Sequence, residues 1–538
     1  MKPLYSADDL ARALTEFTAI VGADWVFTAA EDIATYTDAY SPFALEPERQ
    51  LLPAGAVAPA NVEQVQQIVR SANRHKIPLY AISTGRNLGY GGAGPTMRGT
   101  VVLDLKRLNR ILEVDEKEGY VLVEPGVSFF DLYQHLTDHK IPLLISTPEP
   151  GWGSLIGNAL DHGVGGIAGD NFAQIHGLEV VLPTGELMRT GSGASPSSHL
   201  WQNYRYGFGP YLDGLFSQSN LGIVTKAGFW LQRAIGVAQS FTVTSFKSSD
   251  LQRMTDALQW LRSQELIRQH GCHSPIRGAN STVDGHVSSQ IPEVSLLLRR
   301  KDGGTVDEWD ALGKSKQIPA SMVFADLRGP KPIVEAALQI ARDQFAKIED
   351  AKFSAGPIVE FPVDPTAIDD QNKGNLGIPQ LWGFNRLTLQ GTSRGHYYLS
   401  PLCKPDAGDW FSLNDTIRRT LLEANDLAML DHYGWLPALG VYPKAFMLLV
   451  DFLIYDDRRL NQRRRELFLR IARTCAAHGW TEYRTPAGFQ SEVMELYSYN
   501  DHALRRFLEV VKDAVDPNGI LAPGKAGIWP KDQRGMKA

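Results

Sequence analysis

The residues best suited to bind an anionic ligand lie in a glycine-rich segment that follows a short apolar stretch. Residues 83–92 read Ser-Thr-Gly-Arg-Asn-Leu-Gly-Tyr-Gly-Gly, and Leu79–Ile82 before them has the composition of a strand. Glycines at this density let backbone N–H groups approach a phosphate closely. No helix opens from the segment and Pro95 closes it, so it differs from the Rossmann fingerprint. We predict a phosphate cradle, with a flexible turn cluster as the alternative.

A second glycine-rich run occupies residues 151–171 and contains Gly157, Asn158 and Asp161. Each run by itself is compatible with a purely structural role. Two such loops in one domain indicate a large ligand that carries several phosphates, or a dinucleotide.

Three other motifs have the residue types of ligand sites without a supporting context. Residues 519–525 have the glycine and lysine spacing of a P-loop, but Ala526 replaces the hydroxyl that would bind Mg²⁺. Residues 270–273 (His-Gly-Cys-His) have metal-ligand types, but no second cluster lies at a recognisable spacing. The Tyr-Arg pair at 483–484 is by itself typical of a surface contact. We predict no metal site, and a surface loop at 270–273.

The elements that must position these residues have an α+β pattern. Asn61 and Ser128 are predicted helix N-caps, because each precedes an apolar run with helical spacing. Val101–Leu105, Ile111–Val114 and Tyr120–Glu124 read as strands. The spacing between these strands is too short for crossover helices, so we expect all three to pair antiparallel.

The size and composition of the chain limit its class. With 538 residues it exceeds a single hydrophobic core, so two domains are expected, with a boundary near residue 236. The net charge of −6 gives no basic face for nucleic acid. Three cysteines cannot form a disulfide framework.

No apolar run reaches the length of about 18 residues that a membrane helix needs. The first residues lack the apolar run of a secretory signal, so a cytoplasmic location is expected. Residues 458–476 are predicted to form a helix with a basic, solvated face, which consists of Arg458, Arg459, Arg463, Arg464 and Arg465.

Seven ordered segments together resemble the vanillyl alcohol oxidase/p-cresol methylhydroxylase family of FAD-dependent oxidoreductases, and its eugenol oxidase-like members in particular. The likeness is dense over about 50–235 and 450–530 and thin over 237–390. The segments are Ser83–Gly92, Gly157–Asp161, Tyr206–Pro210, Asp213–Lys226, Gly395–His396, Glu482–Thr485 and Asp516–Lys525.

The resemblance implies a two-domain flavoprotein of the α+β class. An FAD-binding domain formed by residues 1–236 and 486–538 would enclose a cap domain of residues 237–485. His396 matches a position that in several members is bonded covalently to the flavin. Such a bond raises the redox potential of the flavin and so favours hydride uptake. The residues implied to bind FAD are Ser83, Thr84, Gly85, Arg86, Asn87, Gly89, Gly91, Gly157, Asn158, Gly222, Ile223, His396 and Lys525.

The resemblance also implies catalytic roles for four residues. Tyr90, Tyr483 and Arg484 match a trio that binds a phenol oxygen. An arginine and two hydroxyl donors around one oxygen stabilise a phenolate, which pushes electron density toward the para position. Hydride then leaves the benzylic carbon for the flavin and gives a quinone methide. Asp161 matches a carboxylate beside the flavin, where it would activate water or tune the flavin.

The sequence departs from the family at the wall of the substrate pocket. Residues 165–171 lack two tyrosines and a histidine of close relatives, and residues 441–445 lack their histidine motif. We therefore expect an enlarged pocket for a bulky phenol, such as a lignin-derived one, with Gly166, Ile167, Asp170 and Asn171 in its wall. The alternative is that a shifted segment from 430–450 fills the space.

The implied partners are a phenolic substrate, oxygen or a cytochrome c-type electron acceptor, and a second copy of the chain in a homodimer. Neither nucleic acid nor a membrane is expected. One alternative function is an FAD-dependent sugar or hydroxy-acid oxidase, which would not need Tyr90, Tyr483 and Arg484 together. A second is a flavin-free binding protein, which would lack yellow absorbance.

Overall fold

The computed structural model describes residues 5–278, 282–283, 286–287, 291–382 and 394–535. The N-terminal region, residues 5–236, contains five α-helices and thirteen mostly short strands. Its helices are α1 (Ala7–Val21), α2 (Ala30–Thr35), α3 (Val62–His75), α4 (Phe129–Asp138) and α5 (Leu155–Leu160). Its strands are β1 (Val26–Phe27), β2 (Gly55–Val57), β3 (Leu79–Ile82), β4 (Val101–Asp104), β5 (Ile111–Asp115), β6 (Tyr120–Val123), β7 (Leu143–Leu144), β8 (Val164–Gly165), β9 (Gly169–Asp170), β10 (Ile175–Val181), β11 (Leu187–Arg189), β12 (Ile223–Trp230) and β13 (Gln232–Arg233).

The first glycine-rich segment follows strand β3, which belongs to a small, partly parallel sheet. The strand order of this sheet is β1-β2-β4-β3. Strand β4 pairs in parallel with both β2 and β3, so the prediction that it pairs antiparallel with the strands after it is wrong. The prediction compared β4 with the strands that follow it, but its partners precede it. Residues 83–100 are long enough to cross over from β3 to β4, and α3 makes the crossover from β2 to β3.

Three other predictions for this region are confirmed. Strands β5 and β6 pair antiparallel in a second sheet of order β11-β10-β12-β6-β5. The Asn61 side chain accepts a hydrogen bond from the Gln64 backbone at the start of α3. At α4, Ser128 and Asp131 form a reciprocal capping box. These caps fix where each helix begins, and the buried face of α3 then packs on the small sheet.

Residues 237–482 build a larger antiparallel sheet, of order β19-β14-β18-β15-β23-β24-β22-β26, with β20 beside β14. The strands of this region are β14 (Val237–Ser245), β15 (His270–His273), β16 (Thr282–Val283), β17 (His286–Val287), β18 (Ser321–Gly329), β19 (Lys352–Ala355), β20 (Val359–Glu360), β21 (Gly395–Leu399), β22 (Pro401–Cys403), β23 (Ala438–Tyr442), β24 (Ala445–Met447), β25 (Val450–Ile454) and β26 (Thr481–Glu482). Strands β16 and β17 form a separate two-stranded sheet, as do β21 and β25, and the remaining strands form the larger sheet. We call it the cap sheet.

Helices cover one face of the cap sheet. Phe241, Val243 and Val323 point toward them and are buried in one hydrophobic core with Leu258 of the first helix. The helices of this region are α6 (Asp250–Ser263), α7 (Pro292–Arg299), α8 (Val306–Lys316), α9 (Lys331–Phe345), α10 (Asp370–Lys373), α11 (Ala407–Glu423), α12 (Leu427–Tyr433) and α13 (Arg458–Ala477).

Two predictions for the cap region are wrong. Residues 270–273 form the fully buried strand β15 instead of a surface loop. Burial lowers the pKa of His270 to about 4, so its imidazole is neutral and packs like an aromatic ring. In α13, Arg464 and Arg465 are buried, and they form ion pairs with Asp426 and Glu46. An arginine can be buried where a carboxylate meets its charge.

The C-terminal segment returns to the N-terminal region. After α14 (Gln490–Met494) and α15 (Tyr499–Val515), Leu521 forms a parallel bridge with Leu79 of β3. The Leu79 N–H donates to the Ile520 carbonyl, and the Ala522 N–H donates to the Leu79 carbonyl, both at 2.7 Å. The C-terminal segment thus supplies an edge to the small sheet. In the described ranges, no helix is both long and apolar enough to cross a membrane.

Candidate active site

A cavity of about 1240 Å³ lies between the N-terminal region, the C-terminal segment and the cap sheet. Residues of both glycine-rich runs line it, and residues of β23 and β24 face them from the cap sheet. The predicted FAD-binding residues in its wall are Ser83, Thr84, Gly85, Arg86, Asn87, Gly157, Asn158, Gly222, Ile223 and Lys525.

Two glycines show why the wall is built from such runs. Gly157 is so close to the first run that an added Cβ would lie 2.4 Å from Ser83 Oγ. Gly89 has φ +82°, and an added Cβ would lie 2.6 Å from the ring of Tyr398. Gly89 and Gly91 therefore support the loop from behind, and neither lines the cavity.

The donor set of the cavity fits FAD. The backbone N–H groups of the glycine-rich runs can bind a pyrophosphate. Apolar side chains such as Ile82 and Ile156 can pack against the rings of FAD. Among the described residues, Asn220 Oδ1 and Arg484 Nε are buried polar atoms that have no hydrogen-bond partner, and both residues line the cavity. Buried polar atoms are normally paired, so these two indicate a ligand with polar groups.

Asp161 lies at the centre of a charged cluster in the wall. Its carboxylate accepts hydrogen bonds from Lys525 Nζ at 2.9 Å and from Asn87 Nδ2 at 2.8 Å. Burial alone would raise the pKa of Asp161, but the charges of Lys525 and Arg484 outweigh it and hold the pKa below its ordinary value. Asp161 is therefore ionised at neutral pH.

Tyr90, Tyr483 and Arg484 come together at the cap end of the cavity. The Arg484 guanidinium carbon lies 3.9 Å from the centre of the Tyr90 ring and 5.6 Å from that of Tyr483. Arg484 Nη1 donates to the Asp161 carbonyl at 3.3 Å, and the Tyr483 hydroxyl donates to the His162 carbonyl at 2.6 Å. The three side chains, which we call the anchor, all line the cavity.

Sequence reasoning missed two residues that hold the anchor in place. Buried Ser400 places its hydroxyl 2.9 Å from the Tyr90 hydroxyl, and its carbonyl accepts from the Tyr483 N–H at 3.0 Å. The Gln218 amide donates to the carbonyls of Asp161 and Tyr483, both at 3.3 Å. Their positions in the sequence could have indicated both residues. Ser400 ends the segment that begins at His396, and Gln218 lies within residues 213–226.

His396 lies in β21 and is buried, but it does not line the cavity. Its Nε2 is 2.6 Å from the hydroxyl of Tyr398, and Tyr398 does line the cavity. Burial lowers the pKa of His396 to about 4, so its imidazole is neutral at physiological pH. The structure thus puts the residue predicted to bond the flavin directly behind the wall.

Of the four predicted pocket residues, Gly166 lines the cavity and the other three do not. Ile167 and Asn171 are buried, and Asn171 Nδ2 donates to Asn158 Oδ1 at 2.7 Å. The Asp170 carboxylate accepts from the Ala173 N–H at 3.2 Å. Asn171 and Asp170 therefore shape the second glycine-rich run from within.

Backbone from two cap segments fills the space in front of this run. A Cβ on Gly166 would lie 2.2 Å from the Gly374 carbonyl oxygen, and one on Gly169 would lie 2.2 Å from the Val441 carbonyl oxygen. Val441 belongs to the 430–450 segment that was the alternative occupant. The missing aromatic side chains therefore leave no open space at Gly166 or Gly169.

The described residues hold no group of three His, Cys, Asp or Glu side chains that could bind a metal ion. The charged side chains in the cavity wall are Arg484 of the anchor, Asp161 and Lys525 of the charged cluster, and Arg86, Glu149 and Asp451.

Comparison with known proteins agrees with this geometry. A family model described as an FAD binding domain matches residues 53–191. The 4-cresol dehydrogenase (hydroxylating) flavoprotein subunit of Pseudomonas putida is 32% identical over 536 residues, which cover 96% of this chain and 95% of the relative.

Two solved structures extend the similarity to the whole fold. A p-cresol methylhydroxylase with substrate bound has a TM-score of 0.81 and 28% identity, with 98% of each chain covered. The 4-ethylphenol oxidase from Gulosibacter chungangensis, in an isoeugenol complex, has a TM-score of 0.82 and 28% identity, with 98% of this chain and 99% of that chain covered. The chain therefore belongs to the vanillyl alcohol oxidase/p-cresol methylhydroxylase family of FAD-dependent oxidoreductases.

Proposed function

We propose that this enzyme oxidises or hydroxylates a para-substituted phenol by removing a hydride from the benzylic carbon. The observation that carries the proposal is the anchor of Tyr90, Tyr483 and Arg484 in one wall of the cavity. Two relatives support it, since one is a 4-cresol dehydrogenase and the other a 4-ethylphenol oxidase. A sugar or hydroxy-acid oxidase would not need the three side chains of the anchor together.

The anchor favours a phenolate over a phenol. Arg484 is buried, and its Nε lacks a partner among the described residues, so it can donate to a substrate oxygen. In a site shielded from water, a fixed positive charge stabilises an oxyanion more than it would in solvent. A phenolate donates electron density to the para position, which makes the benzylic hydrogen a better hydride.

FAD, when bound, supplies the acceptor for the hydride and its two electrons. The oxidised substrate is then a quinone methide, which either adds water to give a benzylic alcohol or, from an alcohol, becomes an aldehyde or ketone. A general base works best with a pKa near the working pH, and the pKa of Asp161 is lowered. We therefore assign Asp161 to holding Lys525 and Asn87 in place beside the flavin, and not to taking a proton from water.

The proposal is tested by flavin reduction with matched substrates. Stopped-flow absorbance with 4-ethylphenol should show fast bleaching of the flavin, and the methyl ether of 4-ethylphenol should react at least tenfold more slowly. The ether cannot form a phenolate, and losing a hydrogen bond to a charged group costs roughly 1.5–3 kcal/mol. Equal rates would exclude the anchor as the cause of reactivity, and a purified chain without yellow absorbance would exclude a flavoenzyme.

A covalent bond between FAD and His396 is a second part of the proposal. The neutral imidazole of His396 keeps a lone pair at neutral pH, as a nucleophile requires. After acid precipitation the pellet should be yellow and fluorescent under ultraviolet light, while His396→Ala should release its flavin to the supernatant. His135→Ala, at a histidine outside the cavity, is the control. A colourless wild-type pellet would refute the covalent bond to His396 but would not refute FAD binding.

The remaining proposals concern partners. Dioxygen or a cytochrome c-type protein reoxidises the flavin, and reoxidation followed separately in air and with an electron carrier distinguishes them.

We also propose a homodimer, because α15 exposes Leu504, Phe507 and Val510 along one stripe. Exposed apolar patches of this kind are typical of protein interfaces.

A further inference from the structure

We infer that the cavity has a second compartment, beyond the anchor, that binds an uncharged, oxygen-bearing unit at the end of the substrate's para side chain. This inference rests on the proposed function and names the substrate class. The compartment, which we call the outer compartment, lies against the open face of the cap sheet. Its wall residues are Thr242, Thr244, Gln269, His273, Met322 and Ser354.

The strand order gives the length of this space. Leu439 lies in β23 near the anchor, and Ser354 lies in β19 at the sheet edge. The path from β23 to β19 passes through β15, β18 and β14, which is four strand-to-strand steps. Strands lie about 4.8 Å apart, so the lining extends roughly 19 Å from the anchor side to the sheet edge. A phenol with a two-carbon side chain covers only the beginning of that distance.

The register shows that these residues share one face of the sheet. Thr242 is opposite Ser354, and Thr244 is opposite Met322, which is itself opposite His273. Directly opposite residues point to the same side, and alternate residues of a strand do as well. The intervening residues, such as Val243, are buried against the helices on the other face. The wall of the outer compartment is therefore one continuous surface.

The chemistry of the wall changes along this surface. Beside the anchor it is apolar, because Met447, Leu439 and Val441 pack with the two tyrosines. In the outer compartment it carries the hydroxyls of Thr242, Thr244 and Ser354. Among the described residues these three hydroxyls have no hydrogen-bond partner, so they can bond a ligand.

The outer compartment favours neutral groups. None of its wall residues is an acid or a strong base, and burial lowers the pKa of His273 to about 4, so that imidazole is neutral. Thr242 and Thr244 are partly buried and Ser354 is exposed at the sheet edge, so a charged group bound beside the threonines would lose part of its hydration without gaining an opposite charge. Hydroxyl and ether oxygens, in contrast, can pair with threonine and serine hydroxyls.

Two contacts direct the para side chain toward the outer compartment. The Gly374 carbonyl closes the space in front of Gly166, so the chain cannot extend there. Gln269 Nε2 donates to the Gly165 carbonyl at 2.6 Å, which joins the cap sheet to the second glycine-rich run beside the route. The substrate class that fits is a two-ring phenol whose linker and distal ring carry hydroxyl or ether oxygens.

The experiment compares two substrates in the FAD-loaded enzyme and in the double variant Thr242→Val/Thr244→Val, which keeps side-chain shape but removes both hydroxyls. The substrates are 4-ethylphenol and a two-ring phenol with a hydroxylated linker and a methoxylated distal ring. Each lost neutral hydrogen bond weakens binding about two- to tenfold, so KM for the two-ring phenol should rise about four- to a hundredfold. KM for 4-ethylphenol should stay within twofold.

A blocking variant and a binding assay complete the test. Thr244→Trp should exclude the two-ring phenol and leave 4-ethylphenol reactive, while Thr366→Val, at an exposed threonine outside the cavity, should change neither. Calorimetry with a two-ring phenol that lacks a benzylic hydrogen should show the same loss of affinity in the double variant. If the threonine variants affect both substrates equally or neither of them, the outer compartment is refuted and the proposed function stands. If neither phenol reduces the flavin, the proposed function itself fails.

Discussion

Replacing Arg484 by alanine is expected to slow the reduction of bound FAD by 4-ethylphenol ten- to a hundredfold or more. The side chain is the positive charge of the anchor, and it lies against the Tyr90 ring. A hydrogen bond to a charged group contributes roughly 1.5–3 kcal/mol, and each 1.4 kcal/mol is about a factor of ten in rate. The loss should appear in the limiting rate of reduction at saturating phenol, measured by stopped flow.

The comparison needs variants that separate charge from shape. Arg484→Lys keeps the charge but loses the planar fork, so it should fall between wild type and Arg484→Ala. Arg473→Ala removes an exposed arginine from α13 and serves as the matched control. If Arg484→Ala reduces its flavin at the wild-type rate while it retains FAD, the phenolate mechanism is wrong for this enzyme.

Replacing Lys512 by methionine is expected to destabilise the enzyme by about 3–5 kcal/mol, the cost of leaving a buried carboxylate without its cation. Lys512 Nζ and Asp516 Oδ2 are 2.7 Å apart, and both side chains are 0% exposed. Lys512 also donates to the carbonyls of Asn220 and Leu521, both at 2.7 Å. The substitution therefore loosens the segment that pairs with β3 and carries Lys525.

The effect is measured as a fall in the thermal midpoint together with loss of retained FAD on gel filtration. The double variant Lys512→Met/Asp516→Asn should recover part of the stability, because it removes the unpaired charge while the amide oxygen can still accept a hydrogen bond from the Ile520 or Leu521 N–H. Lys117→Met, at a side chain that is 89% exposed, should be neutral. A single variant as stable as wild type would show that the ion pair does not hold the C-terminal segment.

Several helix ends and the ligand-binding loop could be predicted from local sequence signals. The helix caps at Asn61 and Ser128 depend on residues three positions apart, and both are present as predicted. The glycine density of 83–92 predicted a ligand-binding loop, and most of that loop lines the cavity. The assembly of Tyr90 with Tyr483 and Arg484 came from family resemblance alone, because nothing local connects positions almost 400 apart.

The features that sequence reasoning missed depend on contacts between distant segments. Strand β4 pairs in parallel because of what precedes it, and Arg464 is buried because Asp426 lies within reach. The closed space at Gly166 depends on a carbonyl from residue 374. No window of sequence around these positions contains their partners. Burial and filling of space are set by the tertiary structure.

The bridge between Leu79 and Leu521 has a consequence for how the enzyme is made. Ribosomes add about 5–20 residues per second, and roughly 440 residues separate the two strands, so β3 waits roughly 20 to 90 s for its edge partner. During that time the small sheet has an unpaired edge, and Asp161 lacks Lys525. We therefore expect the cofactor site to be completed only after the C-terminal segment is synthesised, and the unpaired sheet edge makes the nascent chain prone to aggregation until then.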